Sequence, residues 1–338
     1  MEAFTWRSGE RTVVFGEGAL ADAPQLLAEH GFTPYQLLST ERALAEHPSE
    51  LAEDAERVHH VSAGPVPDAA TQLLGRVAAN PPGDLVAFGG GRVVDTAKAV
   101  AAITGSRVAA IPTTLAGSSM TGIHRLPAGR EAEAKGLVRP LLVIGDPVPM
   151  TSAPEKQLRA TAMNALAHGA ESLYGPGANP AAEMAALRGA ELIAITLDLE
   201  RQRRDRSDLA SGALLCASAI DSTGLALHHA LCQTLVRVME LPHAETNAAM
   251  LPHTMTAMTH RAPRQITALA GALGVSAGAI GARISELSGG PRNLADLGAD
   301  PAKIDQVLDA IEARGDVATN TPDPPGREAI GAIIKEAF

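Results

Sequence analysis

Two histidines beyond residue 150 each have a polar partner at helical spacing. Asn164 and His168 are four residues apart, and so are His229 and Gln233. Residues four apart lie on one face of a helix, so two helices could each offer two polar groups to one site. Imidazoles in such a site can bind a metal ion, or they can donate hydrogen bonds and protons to an oxygen that gains negative charge.

Two further histidines, His243 and His253, each follow a Leu-Pro dipeptide later in the chain. A single buried histidine is most often a hydrogen-bonded structural residue. Several histidines within two apolar helical stretches instead favour a catalytic or metal-binding site.

A second candidate site is the glycine triplet Gly89, Gly90 and Gly91. The apolar run 85–88 predicts a buried strand before it, and apolar residues recur at helical spacing in the segment after it. Glycines let the backbone approach a ligand closely, and the first N–H groups of the following helix have no partners in that helix. The turn therefore predicts an anion-binding site. It is not the standard dinucleotide fingerprint, because Val94 replaces the last glycine, and a plain strand-to-helix turn is the alternative.

The elements that would position these residues differ between the two halves of the chain. Residues 1–150 alternate short apolar runs with helical patterns, which predicts a Rossmann-like α/β domain with a parallel sheet covered by helices. The predicted strands are 12–15, 35–39, 60–63, 85–88 and 108–111. Ligands of such sheets bind beyond the carboxyl ends of the strands, where the glycine triplet and the segment 112–117, with Thr113 and Thr114, would lie.

Residues 151–338 show helical periodicity with almost no strand pattern, which predicts a second, all-helical domain. Within it, one helix is predicted over 207–229 and the next over 244–260. The two predicted domains are therefore 1–150 and 151–338.

Composition excludes several classes of function. The chain has 338 residues, which exceeds the usual size of one core and supports two domains. A net charge of −10 and an aromatic content of 2% argue against nucleic-acid binding. No apolar segment reaches the about 20 residues of a membrane-spanning helix, and the N-terminus lacks the pattern of a signal peptide. We therefore expect a cytoplasmic protein, whose two cysteines are reduced.

Several motifs follow one another along nearly the whole chain. They are GGG-x-x-x-D-x-A-K, IPTT-x-A-GS-x-MT, MNALAH, LHHALC, LPHAET and MLPH. In this order they resemble the iron-containing alcohol dehydrogenase family, and most closely its maleylacetate reductase branch. The resemblance implies the dehydroquinate synthase-like fold of that family, with an α/β domain for NADH or NADPH, a helical domain, and the reaction between them.

The resemblance also bears on metal binding. Asn164, His168, His229 and His243 match the four metal-ligand positions of the wider family, in which the first is an aspartate. An asparagine there removes the only anionic ligand, so a bound metal is not expected.

Further roles follow from the same resemblance. His168, His229 and His243 would be catalytic, because they would bind and polarise the substrate oxygen. The residues expected to contact the substrate are Asn164, Gln233 and His253. The residues expected to bind the cofactor are Gly89, Gly90, Gly91, Asp95, Thr113, Thr114 and Ser118.

Four residues depart from the family pattern near these positions. Gln233 stands where the family commonly has a histidine near the nicotinamide, and Arg92 replaces a small residue after the glycines. Arg237 and Ser119 replace a small residue and a glutamate of the reductase branch. These differences leave the predicted fold unaffected and bear on the substrate.

These features predict an NAD(P)H-dependent reductase of a small carboxylated enone or keto substrate, with maleylacetate, reduced to 3-oxoadipate, as the first candidate. The alternatives are an iron- or zinc-dependent alcohol dehydrogenase, a non-redox enzyme of the dehydroquinate-synthase-like group, and a nucleotide-binding family member with altered or lost redox activity. We expect a homodimer with a small-molecule substrate and with neither nucleic acid nor membrane as a partner. The sequence does not choose between NADH and NADPH.

Overall fold

The computed structural model describes residues 9–47, 49–78 and 83–338. These described residues fold into two compact units, one within Ser8–Ala153 and the other within Pro154–Phe338. All strands of the described residues lie in the first unit.

The described part of the first unit contains one six-stranded sheet in the spatial order β1-β6-β5-β4-β2-β3, and all of its strand pairs are parallel. This topology confirms the predicted α/β class. The strands are β1 (Thr12–Phe15), β2 (Tyr35–Ser39), β3 (Arg57–His60), β4 (Asp84–Gly89), β5 (Val108–Pro112) and β6 (Leu142–Gly145). The helices are α1 (Ala23–Glu29), α2 (Glu41–Glu46), α3 (Leu51–Asp54), α4 (Val66–Ala78), α5 (Gly91–Thr104) and α6 (Pro147–Met150).

The central strand β4 packs against apolar residues on both faces of the sheet. Leu85 and Ala87 belong to one hydrophobic cluster, and Val86 and Phe88 belong to the other. Alternate side chains of a strand point to opposite faces, so a strand covered on both sides needs an uninterrupted apolar run. That run ends at Gly89, which places the glycine triplet at the carboxyl end of the sheet.

The prediction for the third strand was wrong by three residues. Apolar residues favoured 60–63, whereas β3 covers Arg57–His60. This strand lies at the edge of the sheet beside β2, and Arg57 and His60 are exposed. An edge strand needs fewer apolar residues, so its hydrophobic signal is weak and the apolar residues after it misplaced the boundary.

The second unit is helical, as predicted. Its described helices are α7 (Glu155–Ser172), α8 (Pro180–Asp198), α9 (Arg206–Thr223), α10 (Leu227–Met239), α11 (His243–Met258), α12 (Pro263–Ala272), α13 (Ile280–Leu287), α14 (Ile304–Arg314), α15 (Asp316–Asn320) and α16 (Arg327–Glu336).

The helix predicted over 207–229 is divided into two. α9 ends before Gly224, whose φ of 81° is incompatible with a continued right-handed helix, and α10 begins at Leu227. His229 therefore lies in the first turn of α10 and not at the end of a long helix.

None of the described helices is by itself long and apolar enough to span a membrane. Two strongly bent helix pairs reach that length and composition only when their members are taken together.

Candidate active site

In the α/β unit, the glycine triplet forms a tight turn between β4 and α5. Gly89 has a φ of 154°, and a Cβ atom added there would lie 2.8 Å from Cγ2 of Val93. Gly90 is the N-cap of α5, and no side chain caps this end of the helix. The first N–H groups of α5 are therefore left for a ligand, and the positive end of the helix dipole favours an anionic one.

A second segment, residues 113–118, packs directly against this turn. A Cβ atom on Gly90 would lie 3.2 Å from Cγ2 of Thr114, and one on Gly91 would lie 3.1 Å from Oγ of Ser118. The backbone N–H of Thr113 donates to the carbonyl of Gly89 at 3.1 Å. The structure thus brings together the glycines and all three hydroxyl residues that were predicted to bind the cofactor. Side chains added at Gly90 and Gly91 would occupy the space between the turn and the segment 113–118, which we call the backbone cradle.

Asp95 lies in the first turns of α5, and its carboxylate binds a lysine that is fully buried. The ammonium group of Lys98 donates to Oδ1 of Asp95 at 2.8 Å and to the carbonyls of Ser118 and Ile123 at 2.9 Å each. Lys98 therefore ties α5 to the segment that follows β5. Because the glycine turn begins α5, this lysine holds the two predicted cofactor segments at a fixed distance from each other.

Two of the residues that depart from the family pattern also lie here. Arg92 is exposed in the first turn of α5. Ser119 is 1% exposed, and its hydroxyl has no hydrogen-bond partner among the described residues. Nothing in the structure explains why these two residue types occur at these positions.

In the helical unit, His168 of α7 lies against His229 of α10, and Asn164 precedes His168 by one turn of α7. The rings of His168 and His229 are stacked, with centroids 4.7 Å apart and planes inclined by 5°. Within the described residues, Oδ1 of Asn164, Nδ1 of His168 and Nε2 of His229 are buried without a hydrogen-bond partner. Such atoms are rare in protein interiors unless a ligand or water satisfies them. The three side chains therefore form a candidate ligand site, which we call the imidazole cluster.

Asn247 connects His243 to the residue next to His229, because its amide nitrogen lies 3.5 Å from Nε2 of His243 and its amide oxygen lies 3.0 Å from Nε2 of His228. Burial lowers the pKa of His168 well below its usual value, and the His229 and His243 imidazoles lower it further. Burial and His243 lower the pKa of His229 to about 3. Both rings are therefore neutral at physiological pH. The structure thus brings together Asn164 and all three histidines predicted to be catalytic.

Glu171, on the same helix as His168, determines the tautomer and the ring orientation of His229. Its fully buried carboxylate accepts the Nδ1–H of His229 at 2.7 Å and the backbone N–H of His229 at 3.2 Å. It also accepts the N–H of Ala226 at 3.1 Å, so it caps the N-terminus of α10 from another helix. With its proton on Nδ1, the neutral His229 ring directs the Nε2 lone pair into the cluster.

The cluster as arranged does not fit a metal ion. A nitrogen lone pair lies in the plane of its ring, so the stacked rings of His168 and His229 direct their lone pairs into separate planes. Among the described residues, no group of three or more His, Cys, Asp or Glu side chains is arranged to hold a metal. The remaining donor, Asn164, is neutral where a carboxylate would strengthen binding of a hard cation.

The other two predicted substrate residues, Gln233 and His253, lie in different parts of the helical unit. Gln233 lies one turn after His229 on α10, and its Oε1 accepts a hydrogen bond from Arg314 at 3.1 Å. His253 lies ten residues beyond His243 on α11, about 15 Å along the helix axis. Its Nδ1 is 3.8 Å from a carboxylate oxygen of Glu336 on α16. The structure does not bring His253 to the imidazole cluster.

Sequence reasoning assigned no role to Lys98, Glu171 or Arg314. Two of them left a signal, because Lys98 and Glu171 are charged residues within apolar helical segments, at i+3 from Asp95 and His168. Such residues are rarely buried unless they are paired. Arg314 lies 81 residues from its partner Gln233 and left no comparable signal.

Comparisons with known proteins cover both units. The family model of the iron-containing alcohol dehydrogenase matches residues 10–147, and the model of the C-terminal region of the Fe-containing alcohol dehydrogenase family matches residues 159–338. Maleylacetate reductase of Burkholderia cepacia is 33% identical over 100% of this chain and 98% of its own length.

Solved structures give the same result. Maleylacetate reductase from Agrobacterium tumefaciens has a TM-score of 0.87 and 30% identity, over 100% of this chain and 99% of that one. An iron-containing alcohol dehydrogenase from Corynebacterium glutamicum has a TM-score of 0.88 and 27% identity, over 100% of this chain and 97% of that one. The similarity therefore extends over the glycine turn and the imidazole cluster alike.

Proposed function

Because the chain belongs to the iron-containing alcohol dehydrogenase family and to its maleylacetate reductase branch, we propose that it reduces maleylacetate to 3-oxoadipate. The observation that carries this proposal is the full-length similarity to maleylacetate reductases. One NADH or NADPH and one proton are consumed for each substrate molecule, and the carbon–carbon double bond conjugated to the ketone is saturated.

The α/β unit binds the cofactor in this proposal. Gly89, Gly90 and Gly91 fit a diphosphate, because the cradle that they form would be filled by side chains at these positions. The N-terminus of α5 adds N–H donors to the same anion. When bound, NAD(P)H supplies the hydride that adds to the double bond.

The imidazole cluster holds the oxygen of the ketone, on which negative charge develops as an enolate. His168 and His243 donate hydrogen bonds to this oxygen, which lowers the energy of the enolate. His229 has a different role, because Glu171 leaves it with a lone pair at Nε2. It accepts a hydrogen bond from the substrate or from a bound water.

Turnover tests the function directly. We expect the oxidation of NADH or NADPH, monitored by absorbance at 340 nm, to require maleylacetate. Mass spectrometry should show an equal amount of 3-oxoadipate as the product. No oxidation at any substrate concentration would exclude this substrate. Tight NAD(P)H binding without consumption across a panel of keto acids and aldehydes would instead indicate a family member without redox activity.

We further propose that the reaction needs no metal ion. The support is Asn164 in place of a carboxylate and the stacked orientation of His168 and His229. Protein purified without chelators should retain its full rate after dialysis against EDTA and contain much less than one metal ion per chain by mass spectrometry. Stoichiometric metal that is lost together with activity would favour a metal-dependent alcohol dehydrogenase.

The family resemblance also supports a homodimer in the cytoplasm. Light scattering of the purified chain should give about twice the mass of 34.8 kDa. A mass equal to that of one chain would exclude the dimer under the conditions of the assay.

A further inference from the structure

The side-chain amide of Gln233 is held in one orientation by Arg314. A terminal nitrogen of Arg314 lies 3.1 Å from Oε1 of Gln233. A guanidinium group has only donors, so the atom of Gln233 that faces it must be the carbonyl oxygen. The NH2 group of Gln233 therefore points away from Arg314, and its two hydrogens are left for other acceptors. The side chain is half-buried, so a ligand can reach it.

Arg314 is itself fixed by a carboxylate. Asp316 accepts from Nε of Arg314 at 3.0 Å and from a terminal nitrogen at 2.5 Å. Gly315, at φ 73°, makes the turn that brings these two neighbours together at the junction of α14 and α15. At the other end of α15, Asn320 donates to the carbonyl of Leu225 just before α10, at 3.0 Å. The segment 314–320 is thus tied to the segment 225–233 at both of its ends.

Gln233 lies next to the imidazole cluster along α10. It follows His229 by four residues, so the Cβ atoms of the two residues are about 6 Å apart on one helical face. A ligand oxygen in the cluster and a second ligand oxygen at Gln233 would then be separated by one helical turn.

We propose that Gln233 is the residue that recognises a carboxylate of the substrate, and that Arg314 is the positioning residue that turns its NH2 group towards that carboxylate. This inference rests on the proposed function, because it uses the cluster as the site of the ketone. In maleylacetate, one CH2 group separates the ketone from one carboxyl group, and the two carbons of the double bond separate it from the other. A carboxylate is thus available about one helical turn from the ketone oxygen.

The chemistry of the amide supports a carboxylate as its ligand. An amide N–H donates a hydrogen bond but does not release its proton near neutral pH, so Gln233 cannot serve as the proton donor that a histidine at this position could provide. Arg314 is neutralised by Asp316, so the recognition depends on the donors of Gln233 and not on a free cation. The N–H donors of Gln233 therefore select a ligand oxygen that only accepts hydrogen bonds, as a carboxylate oxygen does.

The variant Gln233→Glu tests the loss of the N–H donors of this side chain without a change in its shape. The new carboxylate has nearly the same shape and pairs with Arg314, but it offers no N–H group and repels an anionic substrate. We expect the KM for maleylacetate to rise about tenfold to hundredfold, the factor for one hydrogen bond to a charged group. The KM for NADH and the melting temperature should stay unchanged. An unchanged KM for maleylacetate would overturn the proposal.

The variant Arg314→Met tests the positioning role. In the wild-type background it should raise the KM for maleylacetate by about threefold to tenfold, because Gln233 loses its fixed orientation. In a Gln233→Met background, which has no N–H donor and no charge at this position, it should cause no further rise, because the group that Arg314 positions is already gone. Independent, multiplying effects would show that Arg314 acts by another route and would overturn that part. Arg188→Met, which removes an exposed arginine that pairs with Glu191 on α8, is the matched control and should change neither KM.

Binding of 3-oxoadipate to the NADH-loaded protein, measured by calorimetry, separates this inference from the proposed function. If the wild-type protein binds 3-oxoadipate but does not reduce maleylacetate, the proposed function fails. A weaker affinity of Gln233→Glu for the same dicarboxylate would still support the inference. If the wild-type protein neither binds nor reduces, both proposals are wrong.

Discussion

The glycine turn of the α/β unit and the imidazole cluster of the helical unit are built on opposite principles. The turn consists of backbone, and its shape depends on the absence of side chains at Gly89, Gly90 and Gly91. The cluster consists of side chains, and its shape depends on a buried carboxylate, Glu171, that fixes one of the imidazoles.

This difference predicts how each region responds to change. A backbone site is insensitive to protonation and sensitive to added volume, because its donors are amides and its contacts are close. A side-chain site that is buried and titratable responds strongly to charge and pH, because unpaired polar groups are costly in a low-dielectric interior.

Removing the buried carboxylate should have the largest effect. In Glu171→Leu, the Nδ1–H of His229 and the backbone N–H groups of Ala226 and His229 lose their acceptor. We expect the free energy of unfolding to fall by about 5 kcal/mol, as for three unsatisfied buried donors. In Glu171→Gln an acceptor oxygen remains, so the loss should be about 2 kcal/mol, with kcat reduced more than the KM for NADH. Denaturant unfolding and steady-state kinetics provide both measurements. Equal stability of wild type and Glu171→Leu would show that the carboxylate does not organise the cluster.

Acidification should destabilise the protein through the buried histidines. Burial lowers the pKa of His228 and His229 to about 3 and that of His168 well below 6.5. Between these values and 6.5 the unfolded chain binds more protons, so stability falls as the pH drops below 6.5. Each histidine contributes about 1.4 kcal/mol per pH unit, or about 4 kcal/mol for the three at pH 5.5.

Glu171 acts in the opposite direction, because burial raises its pKa. Between pH 4.5 and its raised pKa, Glu171 binds more protons in the folded protein than in the unfolded chain. Through this residue alone, the folded protein would become less stable as the pH rises across that range. On acidification, the three histidines together remove more stability than the one glutamate adds. Chemical unfolding at pH 7.5 and pH 5.5 should therefore show a net loss on acidification, and a constant or rising stability would contradict the neutral, buried state of these rings.

Adding one methyl group to the glycine turn should abolish most cofactor binding with little response to pH. In Gly89→Ala the new Cβ meets Val93 at 2.8 Å, and the φ of 154° is strained for any side chain. A cost of about 3 kcal/mol corresponds to roughly a hundredfold weaker NADH binding. The control is Gly75→Ala on α4, where a Cβ meets no atom within 4 Å and NADH affinity should not change. Fluorescence titration with NADH measures both.

Loosening the segment that faces the glycines should have the smallest effect. Lys98→Met removes the hydrogen bonds to Asp95 and to the carbonyls of Ser118 and Ile123. We expect a loss of about 2 kcal/mol in stability and about a tenfold rise in the KM for NADH, while kcat changes little. The exposed Lys135→Met is the control. A change in kcat alone would place Lys98 in the chemistry and not in the support of the cofactor.

Much of the site was predictable because its signals are local. The apolar run before Gly89 and the helical pattern after it predicted the strand, the turn and α5, and Asn164 and His168 share a helical face by spacing alone. The failures have physical causes too. Arg57–His60 is an edge strand with polar residues, and Gly224 interrupts a continuous helical pattern without a change in hydrophobicity.

The supporting residues were not predictable, because their partners are distant along the chain. Glu171 lies 58 residues from His229, and Arg314 lies 81 residues from Gln233. No periodicity connects such pairs, since only the packing of α7, α10 and α14 brings them together.

By itself, the sequence determined the two fold classes and the backbone turn, because periodicity and glycine content act over a few neighbouring residues. Spacing and resemblance also favoured His229 over the adjacent His228, but only the tertiary structure supplies the physical reason why His229 and not His228 can bind a ligand. Nδ1 of His228 lies 2.9 Å from Oγ1 of Thr254, and its Nε2 lies 3.0 Å from Oδ1 of Asn247. His229 pairs with Glu171 through Nδ1, and its Nε2 has no partner within the described part of the chain. Identical side chains at neighbouring positions acquire different roles because hydrogen-bond partners come from other helices, and packing alone supplies them.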